Sequence, residues 1–140
     1  MNRIEIISNF LVNKLELLTG LSVWQGIAPE TEINSHICFF IQDGTPINYT
    51  NHIMAFEQFD ILIHNWNKDG YDYTTADLIQ TLDGLQGELV NDSGFIQSCI
   101  YTGQKLIDSD IPDWYGIVSK FTIKVKNNEN ENSQTNSLER

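Results

Sequence analysis

The chain is poor in basic residues. Its 140 residues include eight Lys and Arg against 19 Asp and Glu, which gives a formal net charge of −11. Proteins that bind the phosphate backbone need clustered Lys and Arg, and here the basic residues are dispersed. The exception is Lys120, Lys124 and Lys126, which we interpret as lysines of a solvated or edge strand rather than a nucleic-acid stripe. We therefore expect no specific nucleic-acid binding.

Long apolar runs are missing and cysteines are few. No stretch approaches the roughly 20 apolar residues of a membrane helix. The apolar positions after the charged residues 2–5 are periodic rather than continuous, so we expect no signal peptide. Cys38 and Cys99 each lie within an apolar, strand-like run. This context predicts reduced, buried thiols in the cytosol, against the alternative of a disulfide between neighbouring strands.

Reactive motifs are also missing. The sequence has no glycine-rich phosphate loop and no nucleophile elbow. His36, His52 and His64 lack the short-spaced partners of a zinc site, and the cysteines are not in a Cys-x-x-Cys spacing. A nucleophile formed by Cys99 with His36 or His64 is conceivable, but no basic neighbour in the sequence would lower the thiol pKa. We predict no catalytic residue, no metal, no cofactor and no enzymatic activity.

The clearest positive signal is a strict alternation over residues 115–126. Apolar residues occupy one set of alternate positions, while lysines and a threonine occupy most of the other set. This period of two predicts a strand with one buried face and cannot be fitted to a helix. The predicted buried face consists of Tyr115, Ile117, Ser119, Phe121, Ile123 and Val125.

Two helices are predicted from apolar residues that recur at helical spacing. The first spans residues 2–18 and ends at Thr19-Gly20. Its apolar stripe consists of Ile4, Ile7, Leu11, Leu15 and Leu18, widened by Ile6, Phe10 and Leu17. The second begins after a capping Thr74 or Thr75, with Asp77 in its first turn. Its stripe consists of Ala76, Ile79 and Leu82, with Leu78 as a further candidate, and Gly84 and Gly87 are expected to end it.

Strands are predicted at residues 21–27, 36–42, 53–64, 95–101 and 115–126, with a turn at 43–46 and a connection at 103–113. The order is therefore a helix, two or three strands, a helix and two strands. We predict an α+β fold in which a mixed, mostly antiparallel sheet of four to five strands carries two helices on one face. Residues 1–126 form one domain, and the polar segment 127–140 is expected to be a disordered tail.

Large aromatic residues stand next to polar turns at two places. Trp66, Tyr71 and Tyr73 surround the turn before the second helix, and Trp114 and Tyr115 begin the last strand. Aromatic residues anchor many protein interfaces, although they can also cap the end of a core. We predict that these five residues belong to an assembly interface.

The element order and several local sequences resemble a small phage tail terminator or minor capsid (neck) protein. The likeness covers residues 1–126 and is carried by these segments: Leu-Thr-Gly-Leu-Ser-Val-Trp at 18–24, His-Asn-Trp at 64–66, Ala-Asp-Leu-Ile-Gln-Thr-Leu at 76–82, Asp-Trp-Tyr-Gly-Ile at 113–117 and Phe-Thr-Ile-Lys-Val at 121–125. The resemblance implies a virion protein made in the bacterial host cytoplasm. It also implies a ring, commonly a hexamer, that caps the tail tube and meets the neck.

The resemblance brings no catalytic residues, and its partners would be further copies of this chain, the tail tube protein and a neck or connector protein. An acidic ring would let DNA pass through its pore without sticking. Two other functions stay open. A head–tail connector or tail-completion protein would share the element order. A small soluble enzyme or ligand-binding α+β module would instead need a concave pocket with convergent polar groups.

Overall fold

The structure is a computed structural model that describes residues 3–48, 54–91, 94–108 and 113–127. His52 and most of the segment 127–140 lie outside these residues, so the disordered tail stays a prediction. The described elements, in chain order, are α1 (Arg3–Thr19), β1 (Ser22–Gln25), β2 (His36–Asn48), β3 (Met54–Asn67), α2 (Tyr73–Gln80), β4 (Leu89–Asn91), β5 (Gly94–Asp108) and β6 (Tyr115–Asn127).

The strands form one mixed sheet in the order β1-β2-β3-β6-β5-β4. The β1–β2 pair is parallel and the other pairs are antiparallel. In a flat sheet, neighbours about 4.8 Å apart would place β1 and β4 about 24 Å apart. Yet α1, a cylinder only about 10 Å wide with its side chains, contacts both of these edge strands. The sheet therefore curls around α1, and its helix-free face is convex.

The core lies between the helices and the concave face of the sheet. Leu11 and Leu15 of α1 and Ile79 of α2 are almost fully buried there, against alternate residues of the central strands. In β6 the predicted alternation is confirmed for Ile117, Ser119, Phe121, Ile123 and Val125, which are all buried, whereas Tyr115 at the start of the strand is 38% exposed. The predicted α+β class, with two helices on one face of a mostly antiparallel sheet, is likewise confirmed.

Strand number and strand lengths differ from the predictions. The described residues form six strands, because the short β4 pairs with the start of β5. β1 is shorter than predicted and covers only residues 22–25. β2 runs through the predicted turn at 43–46, because an irregularity between Ile41 and Asp43 allows pairing with β3 to resume. In the same way, an irregularity at Gly103 lets β5 continue to Asp108, where a connection was predicted.

The lysines of β6 were predicted to lie on a solvated or edge strand, and the position of β6 in the sheet differs from an edge position. β6 lies between β3 and β5 and is a central strand, so the suggestion that its lysines protect a sheet edge is wrong. They lie instead on the convex, helix-free face. The apolar stripe of α1 is narrower than predicted as well, because Leu17 is 85% exposed and Ile4 is 42% exposed.

Asp72 caps α2, and the predicted threonine cap is wrong. The Asp72 carboxylate accepts a hydrogen bond from the Thr75 backbone N–H at 3.0 Å and another from the Thr75 hydroxyl at 2.6 Å. Asp77 therefore falls after the first turn. The helix ends at Gln80, before Gly84 and Gly87, because Thr81 caps it in a right-handed conformation.

We expect Asp72→Ala to lower the free energy of unfolding by about 1 kcal/mol, because the first turn of α2 loses its side-chain acceptor. Chemical denaturation followed by circular dichroism measures the change. Asp69→Ala removes an equally acidic but exposed side chain from the same turn and serves as the control. Equal effects of the two substitutions would contradict the assignment of the cap.

Candidate interface at the aromatic end of the sheet

The five predicted interface residues lie at one end of the sheet, where β3 ends and β2 and β6 begin. We call this region the aromatic end and define it by Trp66, Tyr71, Tyr73, Trp114 and Tyr115. In the register of the sheet, Trp66 is opposite His36 on β2 and opposite Gly116 on β6. Tyr115 pairs with Asn67. The sheet therefore brings together residues that are 30 to 50 positions apart in the chain.

The Trp66 indole lies close to the backbone at Gly116. A Cβ atom on Gly116 would be 2.7 Å from Trp66 Cζ3 and 2.8 Å from Cγ1 of Ile107. Real Cβ contacts are longer than this, so glycine is required for the ring to lie at this depth. The contact holds Trp66 in one orientation on the convex face, and the residue remains half-buried.

Trp114 packs on the same face through two different contacts. Its ring meets that of His36 edge-on, with centroids 5.0 Å apart. The Lys68 ammonium lies 5.0 Å from the Trp114 ring centroid, which is a cation–π distance. Trp114 is thereby held between the first residue of β2 and the loop that follows β3, and part of its surface faces solvent.

The three tyrosines form a separate group on the helix side of the sheet. The rings of Tyr71 and Tyr115 meet edge-on at 5.3 Å, and those of Tyr71 and Tyr73 lie 6.3 Å apart. Tyr73 is 60% exposed and Tyr115 is 38% exposed. Tyr73 and Tyr115 are thus more exposed than either tryptophan, and they lie next to the first turn of α2.

A buried amide fixes the loop between the two groups. Asn65 is 1% exposed, and its Nδ2 donates a hydrogen bond to the Asp72 carbonyl oxygen at 3.1 Å. Because Asp72 also caps α2, one contact ties the end of β3 to the start of the helix. The loop that carries Lys68 and Tyr71 is therefore held in place, which favours a preformed surface.

Sequence reasoning missed two contributors to this end of the molecule. His64 lies 5.0 Å from Phe40 and 6.1 Å from Trp66 between ring centroids, and His36 packs on Trp114. Both histidines were weighed as metal ligands or catalytic partners. The signal that could have placed them is the alternation in β3, where His64 and Trp66 must share a face. Their neighbours across the strands could not be read from the sequence.

The structure separates Cys99 from the two histidines that were considered as its partners. Cys99 faces the core on the concave side, whereas His36 and His64 lie on the convex side. Burial and the nearby Asp83 carboxylate raise the pKa of Cys99 to about 12. Both cysteines are buried free thiols, and Cys38 and Cys99 belong to strands that are not neighbours, which rules out the alternative disulfide between adjacent strands.

Cys38 and His64 form the closest match to a thiol–imidazole pair, since they are opposite each other in the β2–β3 register. Burial raises the pKa of the Cys38 thiol, and this is the largest effect. A hydrogen bond with the Ala28 backbone lowers the pKa by a smaller amount, and the negative charge of Glu32 raises it again. Burial also lowers the pKa of His64. Both groups are therefore held neutral, and a thiolate nucleophile is disfavoured at this place.

Half-buried His64 should make the protein sensitive to acid. In the unfolded chain the His64 imidazole has its ordinary pKa of about 6.5. Folding lowers this pKa, so the imidazole is easier to protonate in the unfolded state than in the folded state. The unfolded state therefore takes up more protons as pH falls below that value, and stability decreases. We expect denaturation between about pH 7.5 and about pH 5 to show a larger loss for the wild type than for His64→Phe. Parallel pH profiles would contradict this.

An open groove of about 530 Å³ lies between α1 and β4. Phe10, Leu18 and Val90 line it, and its two charged residues, Lys14 and Glu88, form a 2.9 Å salt bridge with each other. Within the described ranges, no group of three His, Cys, Asp or Glu side chains could hold a metal ion. Neither described helix has the length and apolarity needed to cross a membrane.

Comparisons with known proteins support the fold. The chain is similar to a chain of the virion of a native gene transfer agent (GTA) particle, with a TM-score of 0.60 and 16% sequence identity. The match covers 80% of this chain and 84% of that chain. No protein-family model matches, and no curated protein matches either. At this identity the likeness establishes a shared fold over most of both chains.

Proposed function

We propose that the protein is a structural virion component that caps the end of a phage tail tube as a hexameric ring and joins the tube to the neck. The observation that carries the proposal is the shared fold with a gene transfer agent virion chain, which extends over 80% of this chain. The segments that resemble tail terminators run from the end of α1 to β6 of this chain. The partners would be further copies, the tube protein and a neck protein.

The aromatic end supplies a surface suited to such assembly. It combines exposed tyrosines with tryptophans held by Gly116, His36 and Lys68, and residues of this kind dominate the binding energy of protein interfaces. A preformed surface loses little conformational freedom on binding. We propose that Trp66, Tyr71, Tyr73, Trp114 and Tyr115 contact the next ring subunit or the tube.

The same fold similarity is compatible with a head–tail connector, and the two functions differ in the neighbour that the protein binds. A ligand-binding module would use the groove between α1 and β4. In the described part of the chain, however, the charged groups of that groove bind each other rather than converge on a ligand. Genes for a tail tube and a tape-measure protein beside the gene for this chain would favour the tail terminator.

The decisive assay adds the purified protein to growing tubes of the tail tube protein encoded beside it. Tubes should stop lengthening and carry extra density at one end in electron micrographs. Trp114→Ala should raise the protein concentration needed for capping at least tenfold, because an interface hot spot contributes about 2 kcal/mol or more. Trp24→Ala makes the same chemical change at the β1 edge and should leave capping unchanged.

The outcome also separates the alternatives. If tubes keep growing while the protein binds a portal or connector ring, the connector function is correct. If Trp114→Ala and Trp24→Ala cap equally well, the aromatic end is not the interface. Circular dichroism of each variant confirms that a loss of capping does not follow from unfolding.

A further inference from the structure

The convex face of the sheet carries most of the protein's lysines. Lys120, Lys124 and Lys126 occupy alternate positions of β6 and therefore share one face. Lys105 of β5 lies on the same face, because it is opposite Val118, which is two residues before Lys120. We call this surface the lysine face and define it by these four residues. Among the described side chains of β3, β5 and β6, Asp60 is the one carboxylate on this face, and it accepts a hydrogen bond from the Thr122 hydroxyl at 3.0 Å.

Aromatic rings keep two of these lysines close to the sheet. The Lys124 ammonium lies 5.6 Å from the Phe56 ring centroid, and that of Lys126 lies 6.0 Å from the Phe95 centroid. Lys105 and Lys120 are exposed. The result is a continuous basic, partly apolar surface on a protein whose net charge is −11.

The opposite side of the molecule has the complementary charge. Glu5 and Glu16 lie on the exposed side of α1, and Asp77 lies on the exposed side of α2. The described ammonium group on these helices, that of Lys14, is already bound to Glu88. We call the exposed side of the two helices the acidic helix layer and define it by Glu5, Glu16 and Asp77.

We propose that the lysine face of one copy binds the acidic helix layer of a second copy, so that subunits associate front to back. The proposal rests on the ring assembly proposed above and supplies its subunit contact. Charge complementarity selects a second copy as the occupant, because the chain itself carries an acidic surface on the side opposite the lysine face.

A front-to-back contact is heterologous, since two different patches meet. Heterologous contacts close into rings when the rotation between neighbours allows it. A face-to-face contact through two lysine faces, by contrast, would be repulsive. Exposed ion pairs are individually weak and are screened by salt. The contact should therefore be strongest at low ionic strength and when a tube end holds several subunits side by side.

Zero-length carbodiimide cross-linking tests the contact without a tube. It joins only lysine amines and carboxylates that already touch. An equal mixture of ¹⁵N-labelled and unlabelled protein at high concentration and low salt should give mixed-isotope peptides. These should link Lys105, Lys120, Lys124 or Lys126 to Glu5, Glu16 or Asp77. Their yield should fall severalfold at high salt.

Charge reversal provides a more stringent test of the same contact. Lys120→Glu with Lys124→Glu makes both surfaces acidic, and Glu16→Lys with Asp77→Lys makes both basic. Each double variant alone should lose the cross-links. An equal mixture of the two should regain them, because each reversed surface then meets its opposite. Glu30→Lys with Glu32→Lys has the same charge change as the helix variant but lies in the loop before β2, and it should leave the pattern unchanged.

The possible outcomes decide the proposal. Recovery in the mixture supports it, even if the protein fails to cap tubes, in which case the tail-end function alone is wrong. Intermolecular links confined to other residues, or no mixed-isotope link at low salt, overturns it. Retention of short DNA by the wild type, lost in Lys120→Glu with Lys124→Glu while no intermolecular links form, would also overturn it in favour of nucleic acid.

Discussion

Leu15→Ala is expected to lower the free energy of unfolding by about 2–5 kcal/mol, the range found when a buried leucine leaves a cavity. Leu15 is 0% exposed and belongs to the core cluster. It lies on α1, the helix around which the sheet curls, so the cavity would open where β1 and β4 approach the same helix. Neighbouring strands cannot collapse into it without changing the curvature of the sheet.

Leu17→Ala is the matched control, because it is the same substitution two residues away on the same helix. Leu17 is 85% exposed, so its removal should change stability by less than about 0.5 kcal/mol. Urea denaturation of both variants measures the difference. Comparable losses would mean that α1 is rotated about its axis and that its buried stripe is the wider one inferred from the sequence.

The two leucines also show how far the sequence could predict the fold. The periodicity of α1 and the alternation of β6 locate both elements, because each reflects one buried face. The width of a stripe depends on what covers it, and Leu17 is left 85% exposed in the fold. Likewise the sequence predicts that a connection begins at Gly103. In the structure a local irregularity in the pairing there lets β5 continue to Asp108. The three residues of β4 are too few to give a pattern.

The aromatic end could be predicted as a set of residues but not as a surface. Trp66 and Trp114 stand out as large aromatics beside turns. Their assignment to the convex face, with the tyrosines on the other side, depends on strand register. The lysines of β6 were visible as a stripe, yet only the strand order shows that they occupy the middle of an open face. Register and strand order arise from contacts that are distant in sequence.

Gly116→Ala is expected to lower the free energy of unfolding by about 1–3 kcal/mol, the cost of overpacking. The backbone there does not have a positive φ, so alanine is conformationally allowed. The cost arises because the added methyl would be 2.7 Å from Trp66 Cζ3 and 2.8 Å from Ile107 Cγ1. The indole must move away from the sheet, and tryptophan fluorescence should report greater solvent exposure along with the lower stability.

A double-mutant cycle isolates this contact. Trp66→Leu removes the indole atoms that the new methyl would meet, so Gly116→Ala should be less costly in the Trp66→Leu background than in the wild type. The difference is the coupling energy between the two positions, which for contacting residues is about 0.5–3 kcal/mol. Strict additivity would show that Trp66 does not rest on Gly116. In that case the methyl group of Gly116→Ala would not displace the indole, and tube capping should tolerate the substitution. Strong coupling together with lost capping would instead make the depth of the indole on the sheet a requirement for assembly.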